Sequence, residues 1–475
     1  MLRCRATYLT AFALALWGGL FFTPIFPSSF RPVAAAGLTM AAAGLSFLGL
    51  QAPRTRRTGA WLIAAGVGLA LAAASLAPTG RRLGGVPLES IRGFSGVLAE
   101  DSSPAPGGVV RYRVRVSRVW TREVSASAAG QVELTARDGP RLYWGRRVEV
   151  AGTVRALGAP GQQVRFASRA EKLTVRGYAS RLLARRAALH RELERHLQAS
   201  SPNSAGLLSA LLLGNRAGVP EAERALFQAG GSLHLLALSG LHAGILFAAA
   251  AFLLSWLPGR RWRAAAGALL LLPYLFLAGA SPSLARAVIM LAAGALGFIL
   301  DRDTRTLNLL SLAAAVVLLC DPAAAADLSF QLSFLSLLGI LLLGPILHRA
   351  FTPPLPRFLG AAVAVSLGAQ AATTPLLLAV FGAAYPAGAL AALPLIPLVT
   401  AFLWVGLAAL LLSLLPVPPL LAVPLDLLHR AILGCLTFFA RFPELRVAWR
   451  PVYWVPVAAA FAALLFLKPS REAAV

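Results

Sequence analysis

Charge is what this chain has least of. Of its 475 residues only 13% are charged, whereas 58% are hydrophobic, and the mean hydropathy is +0.71. A soluble domain hides its core behind a surface rich enough that about a quarter of all residues are charged. A water-soluble globular protein of this length is therefore excluded, and lipid must solvate much of the chain. Lysine is nearly absent: the 44 basic residues include only Lys172 and Lys468, and the rest are arginine. Acidic residues number 19, which leaves a formal net charge of +25. Part of that surplus reads as positive-inside loops. The remainder points to an anionic partner, either a phosphodiester backbone or a lipid headgroup. Cysteine is scarce as well. Cys4, Cys320 and Cys435 stand far apart with no metal-ligand spacing, so neither a disulfide framework nor a zinc site is indicated. No Gly-x4-Gly-Lys loop occurs, so the energy for any transport must come from a partner or from the membrane potential.

What is present falls into four segments. Residues 1–80 hold three apolar spans, 8–25, 32–50 and 59–76, each close to the ~20 residues a helix needs to cross a bilayer. Arg3 and Arg5 precede the first span, but no cleavage site follows, so the span reads as an anchor. Residues 81–180 change character. Val110, Tyr112, Val114 and Val116 alternate strictly with Arg111, Arg113 and Arg115, and residues 146–154 repeat the period of two. With turns at Asp138-Gly139-Pro140 and 158–161, this predicts a small inserted β-barrel or sandwich. Residues 181–232 begin with an amphipathic helix carrying Leu182, Leu189, Leu193 and Leu197 on one face. Two short helices follow, 204–213 and 220–229, and the whole segment reads as interfacial or re-entrant. Residues 233–475 read as nine more spans, with Pro394 and Pro397 predicting a broken helix in the run 387–415. The total is about twelve spans. Arginines in alternate loops place the N-terminus in the cytoplasm and the β insert outside, although Arg441, Arg446 and Arg450 fall on the wrong side of that count.

Ionisable residues inside spans are costly and mark candidate sites. The densest block is His234-Leu-Leu-Ala-Leu-Ser-Gly-Leu-His242. On one continuous helix the two histidines would lie about 80° apart, near enough to line one cavity wall, with Ser239-Gly240 permitting a bend. Ser239 and His242 also have the residue types of a nucleophile and its base, but no acidic orienter accompanies them. Arg286 either snorkels to headgroups or faces a polar path where it meets phosphate. Asp321, before Pro322, reads as a helix cap, and Gln331 and Gln370 either tie helices together or line water. In the insert, fifteen basic residues face seven acidic ones between Arg92 and Arg176. Arg111, Arg113 and Arg115, with Trp144, are of the types that track a single-stranded backbone and stack its bases. Tyr112 shares its face with valines and reads as core.

The stretch Leu211-Leu-Leu-Gly-Asn-Arg216, followed by Phe227-Gln-Ala-Gly-Gly-Ser-Leu-His-Leu-Leu-Ala-Leu-Ser-Gly-Leu-His242, resembles the hallmark of the ComEC-type competence proteins. That pattern is a glycine, two residues, then HLLA-[IV]-SGLH, from which Leu238 departs. Residues 281–290, Asp321-Pro322 with Asp327 and Phe330-Gln-Leu-Ser333, and Gln370-Ala-Ala-Thr-Thr-Pro375 follow in the family's order. The resemblance implies a polytopic α-helical protein of the cytoplasmic membrane with an extracytoplasmic, OB-like β-barrel. It implies a channel, not an enzyme, that passes single-stranded DNA across the bilayer during natural transformation and holds no metal or cofactor. A DNA receptor, a nuclease and a cytoplasmic motor would then be separate proteins, with a homo-oligomer left open. Two departures qualify this. The sequence ends at Val475 with no metallo-β-lactamase-like segment, so the expectation is a chain that does not cut DNA itself. Ala392 also stands where the family often has asparagine. The competing readings are a transporter of a smaller anionic solute on a related scaffold and, more distantly, a membrane enzyme using Ser239 and His242.

Overall fold

The computed structural model describes residues 82–446 apart from short breaks, the longest at 158–164. The three N-terminal spans, the last expected span and Asp321 lie outside the described residues. The alternating segment builds eight strands: β1 (Gly93–Leu98), β2 (Ser103–Ala105), β3 (Val109–Trp120), β4 (Ser125–Arg137), β5 (Arg146–Ala151), β6 (Val154–Leu157), β7 (Arg165–Arg169) and β8 (Lys172–Tyr178). They form one sheet in the order β8-β5-β1-β3-β4-β7-β6, with β2 added to the start of β3. Every pair is antiparallel except β4 with β7. The expected closed barrel does not form among the described residues. At one end β6 bonds only to β7 and at the other β8 bonds only to β5, so the two edges never meet.

The period of two in β3 does what it predicts. Tyr112, Val114, Val116 and Val119 are at most 3% exposed and pack with Phe94, Leu98, Val132, Leu134, Val148 and Val150. Each such side chain contributes roughly 1.5–3 kcal/mol of apolar burial. The Tyr112 hydroxyl donates to the Pro140 carbonyl at 2.7 Å, and burial pushes its phenol up to about 12.

Eleven helices follow: α1 (Arg181–Ser200), α2 (Ala205–Leu213), α3 (Glu221–Ala229), α4 (Gly240–Leu253), α5 (Arg260–Ala278), α6 (Pro282–Ile299), α7 (Thr306–Cys320), α8 (Leu328–Phe351), α9 (Arg357–Phe381), α10 (Ala387–Leu412) and α11 (Ala422–Phe439). Five of them, α6 and α8 to α11, are long and apolar enough to cross a bilayer. Large side chains such as Leu269, Phe358 and Leu427 are 66%, 77% and 61% exposed on the outer faces. The expected break in α10 is absent, since the helix runs through both Pro394 and Pro397. Each proline removes one backbone bond, a loss that neighbouring elements of an apolar bundle can absorb.

Helix α2 is buried along nearly its whole length. Its leucines 207, 208 and 211–213 are at most 5% exposed and share one core cluster with Leu395, Val399, Phe402 and Leu403 of α10, so the helix sits inside the body. Helices α8 and α9 touch backbone to backbone. A Cβ on Gly339 would lie 2.3 Å from the Gly368 carbonyl oxygen, so only glycine permits the crossing.

Candidate functional site

The hallmark block is not one helix. Leu233–Leu236 forms a 3-10 turn, and α4 starts only at Gly240. The reason is local: Ser239 is extended and caps α4 together with His242. The Ser239 N–H donates to His242 Nδ1 at 3.2 Å, and the Ser239 hydroxyl lies 3.0 Å from the same nitrogen. An accepting Nδ1 leaves the proton of the neutral ring on Nε2. That nitrogen is buried without a hydrogen-bond partner. The two histidines therefore do not share a helix wall: His234 is exposed, whereas His242 is 2% exposed. The serine–imidazole distance alone would suit a nucleophile. Here, however, the main-chain N–H shares Nδ1, and among the described residues no carboxylate pairs with His242.

Arg286 sits in the second turn of α6 and is 8% exposed, so it does not snorkel to the surface. Its Nη1 donates to the Ser333 carbonyl of α8, and the guanidinium carbon lies 5.8 Å from the centre of the Phe334 ring. Nη2 lies 3.5 Å from where a Cβ on Gly240 would be. The Ser333 hydroxyl donates to that of Ser283 at 3.0 Å, and Gln331 is buried on the same helix. Gly240 opens α4, Ser283 lies in the first turn of α6, and Gln331 and Ser333 belong to the first two turns of α8. Three positively polarised helix starts thus converge on a buried cation. Among the described residues no carboxylate lies within ion-pair distance of Arg286, and its Nε has no hydrogen-bond partner.

Gln370 ties helices: its Nε2 donates to the Tyr385 carbonyl at 2.6 Å. The cap read at Asp321 has a described counterpart in Asp327, whose Oδ1 accepts from the Ser329 N–H at 2.8 Å at the start of α8. On the sheet, Arg111 pairs with Glu133 at 2.8 Å and Arg113 with Glu100 at 3.3 Å, while Arg115 is exposed with no acidic partner among the described residues. Trp144 does not offer a free ring. It packs 5.7 Å from Phe276 of α5 and under the Arg186 guanidinium at 5.4 Å.

Sequence reasoning missed the junction between the sheet and the helices. Leu182 and Leu189 of α1 are exposed, whereas Arg186 and His190 are buried and Glu194 is mostly enclosed. Arg186 grips Asp101 through two bonds of 2.8 and 2.9 Å and donates from Nε to the Phe276 carbonyl at 2.8 Å. Two turns on, Glu194 accepts from Arg141 at 2.8 Å, Tyr143 at 3.1 Å, Ser209 at 3.2 Å and Asn215 at 2.7 Å, with His190 Nδ1 at 3.2 Å. Burial works to raise the Glu194 carboxyl, but the bonds from His190 and Arg141 outweigh it and hold the group at about 2. The available signal was the i, i+4, i+8 spacing of Arg186, His190 and Glu194 on one helix face.

The sequence model of a family described as Competence protein matches residues 211–472, more than half of the chain. ComE operon protein 3 of Bacillus subtilis (strain 168) is 35% identical over 175 residues, which cover 37% of this chain and 22% of that protein. Recombination protein 2 of Haemophilus influenzae is 26% identical over 232 residues, covering 46% of this chain and 26% of the relative. The alignments thus take in well under half of either relative's length. No solved structure matches the chain. The matched region contains the hallmark block, Arg286, Gln331 and Gln370, and the chain belongs to the competence protein family.

Proposed function

We propose that this chain takes part in DNA uptake during natural transformation by passing a single strand across the cytoplasmic membrane. The observation that carries the reading is Arg286, a buried guanidinium with no acidic partner among the described residues, at the meeting of three helix starts within the family-matched region. A cation so placed is expensive unless an anion visits it. A phosphodiester backbone supplies one phosphate after another, and the sheet's arginine surplus would attract that backbone from outside.

In this reading the protein is multi-pass, with about twelve spans, the N-terminus in the cytoplasm and the β unit extracytoplasmic. The β unit would serve as an OB-like oligonucleotide-binding module of the partly open kind. His234, His242, Gln331 and Ser239-Gly240 flank the path, and Asp321 and Gln370 fix the helices around it. A separate DNA receptor, nuclease and cytoplasmic motor would act with it in the bilayer, and self-association remains compatible with the arrangement.

The test is uptake of labelled duplex DNA in a deletion strain of the competent source organism, followed from the outer compartment into the cytoplasm. The wild-type gene should restore passage, an Arg286→Gln copy should leave label in the outer compartment, and Arg286→Lys should recover part of it. Normal passage without the gene would overturn the reading.

A further inference from the structure

On the outer face of the sheet, β1 carries Gly93, Ser95 and Val97 as a low floor between two taller strands. On the β3 side the register sets Trp120 beside Gly93, Arg118 beside Ser95 and Arg115 beside Val97. On the β5 side the partners are Ala151, Glu149 and Arg147. Small residues along the middle and long ones on both banks make a groove. Arg115, Arg118 and Arg147 are exposed, and among the described residues none has an acidic partner. Glu149, the one acid on either bank, is matched by Arg176 of β8 at 3.0 Å.

Trp120 defines one end. A Cβ on Gly93 would lie 2.4 Å from the indole, so the ring lies across the strand and any side chain at 93 would lift it. The indole is partly exposed, and among the described residues no aromatic ring or guanidinium is stacked on it. The other end leads to the helices. Farther along β3, Arg113 reaches Glu100 and lies 4.0 Å from Asp327, the cap of α8. That helix supplies the Ser333 carbonyl that holds Arg286. From Trp120 to Arg113 is roughly 20 Å of strand.

We infer that this groove binds single-stranded DNA, with bases stacking on Trp120 and phosphates lying along Arg115, Arg118 and Arg147, and that it delivers the strand toward the start of α8. The inference rests on the uptake reading and replaces Arg111, Arg113 and Trp144, all of which are engaged elsewhere. Charge complementarity selects a polyanion. The open indole face selects a strand whose bases are not already stacked in a duplex, because stacking platforms and an arginine track together define single-strand binding.

The experiment uses the full chain in detergent and a short fluorescent oligothymidylate, read by anisotropy across a salt series. Arg115→Gln, Arg118→Gln and Arg147→Gln combined should lower the slope of log affinity against log salt by about 2, at about 0.7 per phosphate for a single strand. Trp120→Ala should weaken binding about tenfold with the slope unchanged, and Trp120→Phe should recover most of it. Gly93→Val displaces the indole without touching a charge and should mimic Trp120→Ala. Arg111→Gln with Arg113→Gln should leave the slope nearly unaltered. A triple variant with the wild-type slope, a wild-type chain that binds no oligonucleotide, or one that prefers duplex would overturn the groove. If passage into the cytoplasm still requires Arg286 in that case, the uptake reading survives without it.

Discussion

Arg186 and Arg286 are both buried, 3% and 8% exposed, and lie in different parts of the molecule. At the junction, Arg186 has a bidentate carboxylate, a backbone carbonyl and an indole face, so its charge is answered on every side. In the helical body, Arg286 has one carbonyl and one phenyl ring, and among the described residues no carboxylate answers its charge. Taking a cation out of water costs several kcal/mol unless a partner returns that energy. The junction therefore spends a buried arginine on joining the sheet to the helices. Under the uptake reading proposed above, the body holds one ready for an arriving phosphate, and that role would explain its stability cost.

The contrast breaks most sharply by removing each charge in turn. Arg186→Gln, or Asp101→Asn, which strands the guanidinium, should destabilise the protein by about 3–5 kcal/mol. The readout is a lower melting temperature in detergent and new proteolysis between the sheet and α1. Arg286→Gln should leave the melting temperature unchanged or raised while transformation frequency collapses. If the two variants behave alike, the distinction between a paired and a waiting cation is wrong.

The junction also has a pH signature that the Arg286 site should lack. Because the Glu194 carboxyl is held at about 2 in the fold against an ordinary 4.5, it stabilises the folded state fully above the ordinary value and loses that contribution as pH falls toward 2. The effect is on the order of 3 kcal/mol. Melting temperatures should therefore stay flat from neutral pH to about 5 and drop below 4.5. Glu194→Gln should start lower and show a shallower acid drop. An identical acid profile in that variant would show that Glu194 does not set it.

How far each region could be read from the sequence follows from the kind of signal it carries. The strict alternation of Val110, Tyr112, Val114 and Val116 with arginines gave β3 correctly, because a period of two means the same thing wherever a sheet has one wet face. Whether that sheet closes depends on β6 meeting β8, a contact between segments that no local pattern encodes. The starts of α5, α6 and α10 follow Gly259, Ser281 and Pro386, where arginines or a proline interrupt the apolar run. Arg286 was legible as an anomaly, since an arginine in an apolar run needs a reason. The junction was not legible. The leucine stripe of α1 drew attention to Leu193 and Leu197, which do pack in the core, and away from Arg186 and His190, and the partners Asp101 and Arg141 lie 85 and 53 residues from the helix positions they bind. The block from His234 to His242 failed for the opposite reason. Its apolar composition suited one helix, and the capping of Ser239 by His242 decided otherwise.

The smallest effect separates two meanings of that cap. Ser239→Ala removes one hydroxyl from a helix start and should cost about 1 kcal/mol. The Ser239 N–H keeps its bond to His242 Nδ1, so the ring keeps its place and tautomer. A chain in which Ser239 only opens α4 beside Arg286 should lose a few degrees of melting temperature and retain most DNA passage. A chain in which Ser239 attacks a substrate should lose all function with no loss of stability, because a missing hydroxyl leaves nothing to be activated. His242→Asn sharpens the comparison. Its side-chain oxygen can accept from the Ser239 N–H and keep the cap, but it provides no base. Retained passage in both variants would place the block on the structural side, beside Arg186. Loss in both with unchanged melting would move it to the working side, with Arg286.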